Sequence, residues 1–261
     1  MVPGVYATFT GPLGRRHPLR AALLPAGDGA LLCGATATEV YALHYAPPPD
    51  GAVHVLVDHH CKVGPTGFVR IERTTNLPDE WSAGALPLVP VAHAVVNAVR
   101  KVRSLRDVRA AVCGPVQLCR ASPRELAEAL AAGHIAGTKL SRRALSDVVA
   151  GCRSAPECEL RDLVLRSKYL PEPRWNEPLP DPRGSRMIPD ACWAEARLVI
   201  EIDSVERHRL GDAPEATERR RARYAALWWR VLPVSPRRLR EEPAVVLAEI
   251  ESAYREGIRA R

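Results

Sequence analysis

Met187–His208, MIPDACWAEARLVIEIDSVERH, decides how the chain is read. Two apolar runs, Arg186–Trp193 and Arg197–Asp203, flank a tight Ala194-Glu195-Ala196 turn, which predicts a β-hairpin. The second run, LVIEID, is the most β-prone stretch of the sequence. Glu201 and Asp203 are two apart and so share a face of that strand, while Asp190 falls beside them across the ladder. Carboxylates on buried strands are costly unless compensated, and a bound cation is the usual compensation. Oxygen donors of this kind suit Mg²⁺ or Mn²⁺, which lowers the pKa of a bound water and polarises a phosphodiester. His208, just past the strand, is the candidate general base or leaving-group stabiliser.

Around the hairpin, the spacing predicts an α/β sandwich on a small mixed sheet from about residue 151 to 261. Ser154-Ala155-Pro156-Glu157 opens a helix running to Lys168, with Leu160, Leu163, Val164 and Ser167 as its buried stripe. Residues 171–185 are rich in Pro, Asp and Gly, and predict a loop with an edge strand around Arg174–Leu179. An Arg-rich helix is expected over Glu215–Leu227, a last strand over Trp229–Val234, and a final helix capped by Ser235 with its body at Pro243–Tyr254.

Residues 1–150 read as a small α+β domain. The first 32 residues predict short strands or loops, with Val5-Tyr6 and Leu23-Leu24 buried. A short helix is expected at Ala35–Leu43, and paired strands at Val53–Val57 and Phe68–Arg73. His59-His60-Cys61 has metal-ligand types, but adjacent side chains on a strand point apart, so a polar strand end is the preferred reading. A mostly apolar helix over Leu88–Val102, starting near Pro90, places His93 and Asn97 on one face, where a buried hydrogen-bonded pair is expected. Further helices are predicted at Leu105–Leu118, after the Ser122-Pro123-Arg124-Glu125 capping box, and from a Ser141 cap to Val149. Arg100, Lys101, Arg103, Arg106 and Arg109 form a basic run that reads equally as a solvated face or a phosphate-facing patch.

The formal charge is +7, which favours an acidic partner such as nucleic acid, although Arg-rich composition alone is weak support. The amino terminus lacks a basic start followed by an apolar core, and no apolar run reaches the roughly 20 residues of a spanning helix. Seven scattered cysteines without a CxxC pair argue for reduced thiols, against a disulfide frame and against a zinc site. A cytoplasmic protein with no membrane partner is therefore expected.

The ordered set in residues 151–256 resembles the PD-(D/E)XK nuclease superfamily. It is closest in kind to a family of uncharacterised bacterial proteins related to very-short-patch-repair endonucleases. The residues are Arg153-Ser154 and Glu157, Pro171, Pro173 and Asn176, Pro189-Asp190, Glu201-Ile202-Asp203-Ser204 with Glu206 and His208, Thr217 with Arg220, and WRVL at Trp229–Leu232. The resemblance implies a restriction-endonuclease-like fold. It also implies Mg²⁺ or Mn²⁺ on Asp190 and Glu201 (or Asp203), with Glu157 supporting from the first helix and His208 assisting proton transfer. The superfamily lysine is absent, its position held by Asp203, as in the closer family. Trp228 stands where a small residue, commonly Gly, precedes WRVL, a departure that concerns packing. More weakly, PGVY, GATATEVYAL and LPLVPVAHAVVNA resemble the body of AbiEi-type antitoxin and regulator proteins. In many of those a winged helix-turn-helix precedes the PGVY-like element. Here Met1 lies almost on it, so the head is missing or the start lies upstream, and Asn97 stands where relatives often carry Asp.

Two functions follow as expectations: a metal-dependent endodeoxyribonuclease of repair or phage defence, or a non-enzymatic, antitoxin-like DNA-binding regulator with a degenerate nuclease domain and a toxin or defence partner. Blander readings stand beside the site. Glu157 closes a capping box, Asp190 and Glu201 pair with Arg186, Arg197 or Arg220, and His208 is a surface residue. Arg219, Arg220 and Arg223 are the candidate phosphate contacts, or else a solvated helix face.

Overall fold

The structure is a computed structural model and describes all residues except 1, 9, 134–136, 180–186, 204–213 and 261. The chain divides into two compact units, Met1–Val148 and Val149–Arg261. Both are mixed α/β, each with one small mixed sheet, and ten α-helices lie among the described residues. None of these helices is long and apolar enough to cross a membrane, and all seven cysteines carry thiols.

In the first unit a helix α1 (Arg16–Leu23) leads to β1 (Leu31–Leu32), α2 (Gly34–Val40), β2 (Val53–Asp58), β3 (Val69–Thr74), β4 (Trp81–Ala83) and β5 (Leu86–Leu88). The sheet order is β3-β2-β1-β5-β4, with β2–β3 and β1–β5 parallel and the other pairs antiparallel. Helices α3 (Val91–Val99), α4 (Leu105–Gln117), α5 (Pro123–Ala132) and α6 (Lys139–Val149) follow.

Several expectations are corrected here. The amino-terminal segment carries a helix, not only strands and loops: Leu19 and Ala22, three apart, are its buried face, and Pro18 is tolerated in the first turn. Tyr6 and Leu24 are exposed, because the helix turns Leu24 away from its buried face. The helix α3 starts after Pro90, as expected, whereas Leu88 belongs to a β4–β5 hairpin. Ser141 is buried inside α6 and does not cap it. His93 makes no bond to Asn97; its Nδ1 is buried without a partner, and burial lowers its pKa.

The second unit begins with α7 (Ala155–Val164), then β6 (Arg174–Trp175), β7 (Ala191–Trp193), β8 (Leu198–Ile202), α8 (Pro214–Ala226), β9 (Arg230–Val234), α9 (Pro236–Glu241) and α10 (Pro243–Arg259). The sheet runs β6-β7-β8-β9, antiparallel except for parallel β8–β9. Cross-strand partners Ala191–Ile200, Cys192–Val199 and Trp193–Leu198 fix the hairpin register, so Asp190 comes next to Glu201. Alternation then sorts the side chains. Cys192 and Val199 join Tyr224 of α8, Leu179 and Met187 in one buried cluster. Trp193 points to the other face, where its ring meets Tyr254 of α10 edge-on at 6.2 Å. Asp190 and Glu201 share the parity of Cys192 and Val199, so they face α8.

Candidate active site

Three carboxylic acids are almost fully withdrawn from solvent in the second unit: Glu157 at 3% exposure, Asp190 at 2% and Glu201 at 2%. Burial on this scale costs several kcal/mol per charge unless each oxygen finds a donor. Asp190 precedes β7, and its Oδ2 accepts from the Ile202 amide at 2.6 Å across the hairpin. Glu201 lies on β8. Its Oε1 accepts from the Tyr224 hydroxyl at 2.8 Å, and its Oε2 meets Nη2 of Arg220 at 2.5 Å as an ion pair. Burial, and then the charge of Glu201, push the Tyr224 hydroxyl well above the ordinary tyrosine range, so it stays a donor.

Glu157 is both a helix cap and a member of the acidic group. Ser154 accepts from the Glu157 amide at 3.3 Å, and the Glu157 carboxylate accepts from the Ser154 hydroxyl at 2.7 Å and the Arg153 amide at 2.8 Å. Asn176 adds a third donor at 2.5 Å and also reaches the Gly151 carbonyl at 3.0 Å. Even so, the Glu157 carboxyl is raised to about 7, by desolvation first and the negative charge of Asp190 second. The donors lower it, but by less than burial raises it.

Asp203 diverges from this group. It sits just past the end of β8, where its amide donates to the Val234 carbonyl at 3.0 Å and its carboxylate pairs with Arg221 at 2.6 Å. Arg219 and Arg223 of α8 are exposed, whereas Arg220 is two-thirds covered by its contact with Glu201. Of the rival arginines, Arg220 therefore makes the pair, while Arg197 reaches the Leu227 carbonyl. His208, Ser204, Glu206 and Arg186 lie outside the described residues.

Tyr224 is the residue missed from sequence, and Asn176, named only within the resemblance, had no contact assigned to it. Tyr224 is four residues after Arg220 and so shares its helix face, a spacing that was available to read. Asn176 adopts a left-handed φ of 51°, which turns its amide toward Glu157; nothing in its local pattern announces that.

In the first unit the structure corrects the expectation that His59 and His60 point apart. Their rings lie 3.7 Å apart between centroids, because the Asp58 carboxylate accepts the His60 amide at 2.8 Å and folds the strand end into a turn. Among the described residues, Asp58, His59 and His60 are the one triple of metal-ligand types whose donor atoms all lie within 4.8 Å of one another. Asp190, Glu201 and Asp203 are not drawn that close.

No protein-family model matches the chain. Two curated sequences are similar to it. They are the Uncharacterized protein MT2308 of Mycobacterium tuberculosis strain CDC 1551 / Oshkosh and the Uncharacterized protein Rv2248 of strain ATCC 25618 / H37Rv. Each is 28% identical over 227 residues, covering 86% of this chain and 81% of the relative. No solved structure matches.

Proposed function

We propose that the second unit is a restriction-endonuclease-like domain that hydrolyses DNA phosphodiester bonds with Mg²⁺ or Mn²⁺. The observation that carries this reading is the burial of Glu157, Asp190 and Glu201 together beside an arginine-rich helix. The donor set fits in kind, since carboxylate oxygens are the ligands hard divalent ions prefer. Asp190 and Glu201 would hold the ion, with Asp203 reaching it only by leaving Arg221. When bound, the ion would activate a water and stabilise charge on the phosphate. The chain's own part is orientation and proton handling. The Ile202 amide fixes the Asp190 carboxylate, and Tyr224 fixes that of Glu201. Glu157, half-protonated near neutral pH, is placed to exchange a proton at its carboxyl oxygens. Arg219 and Arg223, exposed on α8, are the candidate phosphate contacts.

A specific observation favours a second reading, a non-enzymatic antitoxin-like DNA-binding regulator, with a toxin or defence partner, whose nuclease domain is degenerate. Arg220 already neutralises Glu201, and Arg221 already neutralises Asp203, so the protein's own cations stand where the ion would. One experiment separates the two. Purified protein is incubated with plasmid DNA and Mg²⁺, and Mg²⁺ binding is followed by calorimetry. The nuclease reading expects cleavage that falls at least about 100-fold in Glu201→Ala, and Mg²⁺ heat that disappears in Asp190→Ala. Absence of cleavage by the wild type, or equal cleavage by Glu201→Ala, sinks it and leaves the regulator. Mg²⁺ is chosen because the imidazoles of His59 and His60 prefer softer ions.

A further inference from the structure

The basic run of the first unit does not stay together in three dimensions. Arg109 turns inward, 3% exposed, and its guanidinium pairs with the fully buried Asp147 at 2.8 Å. Arg100, Lys101 and Arg103 instead form one wall of an open cleft of about 890 Å³. Lys139 and Arg142, at the start of α6, form the other. The cleft has no acidic residue among its described lining. Glu72, whose carboxyl feels Arg100 and Lys101, is engaged first of all by His54.

Two features separate this cleft from an ordinary solvated surface. The walls are built against each other: Gly137 has a φ of +77°, and a Cβ there would stand 2.8 Å from the Arg100 carbonyl oxygen. Only glycine permits that approach. The second feature is electrostatic. Arg100 and Lys101 follow the carboxyl end of α3, where cations are favourable. Lys139 and Arg142 lie in the first turn of α6, where cations oppose the helix dipole, and no acid accompanies them. Arg142 is also held in place, its Nε donating to Thr138 Oγ1 at 3.3 Å. Lys139 and Arg142 thus stand where the helix dipole disfavours positive charge, and an anion entering the cleft relieves that cost.

We propose that this cleft binds the phosphate backbone of duplex DNA. Backbone phosphates are the fitting chemistry because the described lining offers five cations and no aromatic face. Single-stranded nucleic acid and free nucleotides are usually gripped by stacking on such faces. The proposal takes its choice of ligand from the DNA reading above, but needs no cleavage.

The test is fluorescence anisotropy of a labelled 20-base-pair duplex with the full chain in EDTA, across a salt series. Lys139→Gln/Arg142→Gln is expected to bind at least about 10-fold more weakly, with the slope of log K against log salt reduced by about 1.8, two phosphate contacts' worth. Arg103→Gln, from the opposite wall, gives an independent loss of about half that slope. Arg124→Gln/Arg237→Gln removes the same net charge from exposed positions elsewhere and is expected to change binding less than about twofold. Wild-type binding by both cleft variants overturns the proposal, as does an equal loss in the control pair. It is also overturned if ATP at the concentration of the DNA displaces the duplex, which would mark a nucleotide site. The measurement runs in EDTA and involves no cleavage, so failure of cleavage and failure of this cleft are read separately.

Discussion

At the scale of single residues, Glu157 has the most distinctive physics. Its carboxyl rises from the usual range to about 7 through burial and the neighbouring charge of Asp190. The folded protein therefore holds a proton that the unfolded chain releases near pH 4.5. Between those values the native state binds more protons than the unfolded state, so stability falls as pH rises from about 4.5 to about 7. Below that window the contribution is fully present. Glu157→Gln keeps a carbonyl oxygen for the Arg153 amide and Asn176, and offers an amide N–H to Ser154, as the protonated acid does. It is expected to flatten that stretch of the pH profile and to stabilise the protein at pH 8 by roughly 2 kcal/mol. Urea unfolding of both proteins at pH 5 and pH 8 checks this, and an unchanged difference between the two pH values would show that Glu157 is ionised throughout. The sequence revealed Glu157 as a helix-start residue, because a Ser three positions earlier is a local signal. Its second role came from Asp190, 33 positions further along the sequence, which no local pattern includes.

At the scale of elements, the junction between α8 and β9 is made by a residue with an unusual backbone. Trp228 has a left-handed φ of +59° and its side chain is 82% exposed. Position 228 thus has a backbone conformation that suits glycine, which enters that region without the Cβ clash that costs other residues about 1 kcal/mol. Trp228→Gly loses little packing and is expected to raise stability by about 0.5–1 kcal/mol, after allowing for the extra entropy of an unfolded glycine. A lower denaturation midpoint would mean that the indole packs where the exposed surface says it does not. The same helix shows the limits of reading elements one by one. Its Arg-rich composition was plain, but which arginines face the sheet depends on its rotation, and packing of Tyr224 against Cys192 and Val199 sets that. Arg220 and Arg221 turn to the carboxylates, leaving Arg219 and Arg223 outside.

At the scale of the whole molecule, the two units each carry their own sheet and core. Leu160, Trp193, Leu198, Ile200 and Ile250, among the largest fully buried side chains, all come from Val149–Arg261. Each contributes roughly 1.5–3 kcal/mol on burial within that unit. Residues 149–261 expressed alone are expected to melt in one cooperative transition, followed by the fluorescence of their tryptophans, among them Trp193, whose indole N–H donates to the Pro171 carbonyl at 2.8 Å. A broad, non-cooperative melt would show that the division at Val148 is geometric only.

The sequence by itself determined the hairpin and the adjacency of Asp190 and Glu201. A strand alternates its faces with period two, and a short turn fixes register within a residue. It also determined the capped starts of α5 and α7, because a cap is a contact between residues three apart. Only the tertiary structure decided what those acids touch. Tyr224 and Arg220 reach Glu201 from a helix whose rotation is set by its packing, and Asn176 reaches Glu157 through a left-handed residue. In the first unit, only the fold took Arg109 out of the basic run and brought Lys139 and Arg142 to its remainder. Charge and burial belong to three-dimensional neighbours, and a chain of this length brings together residues that its order keeps far apart.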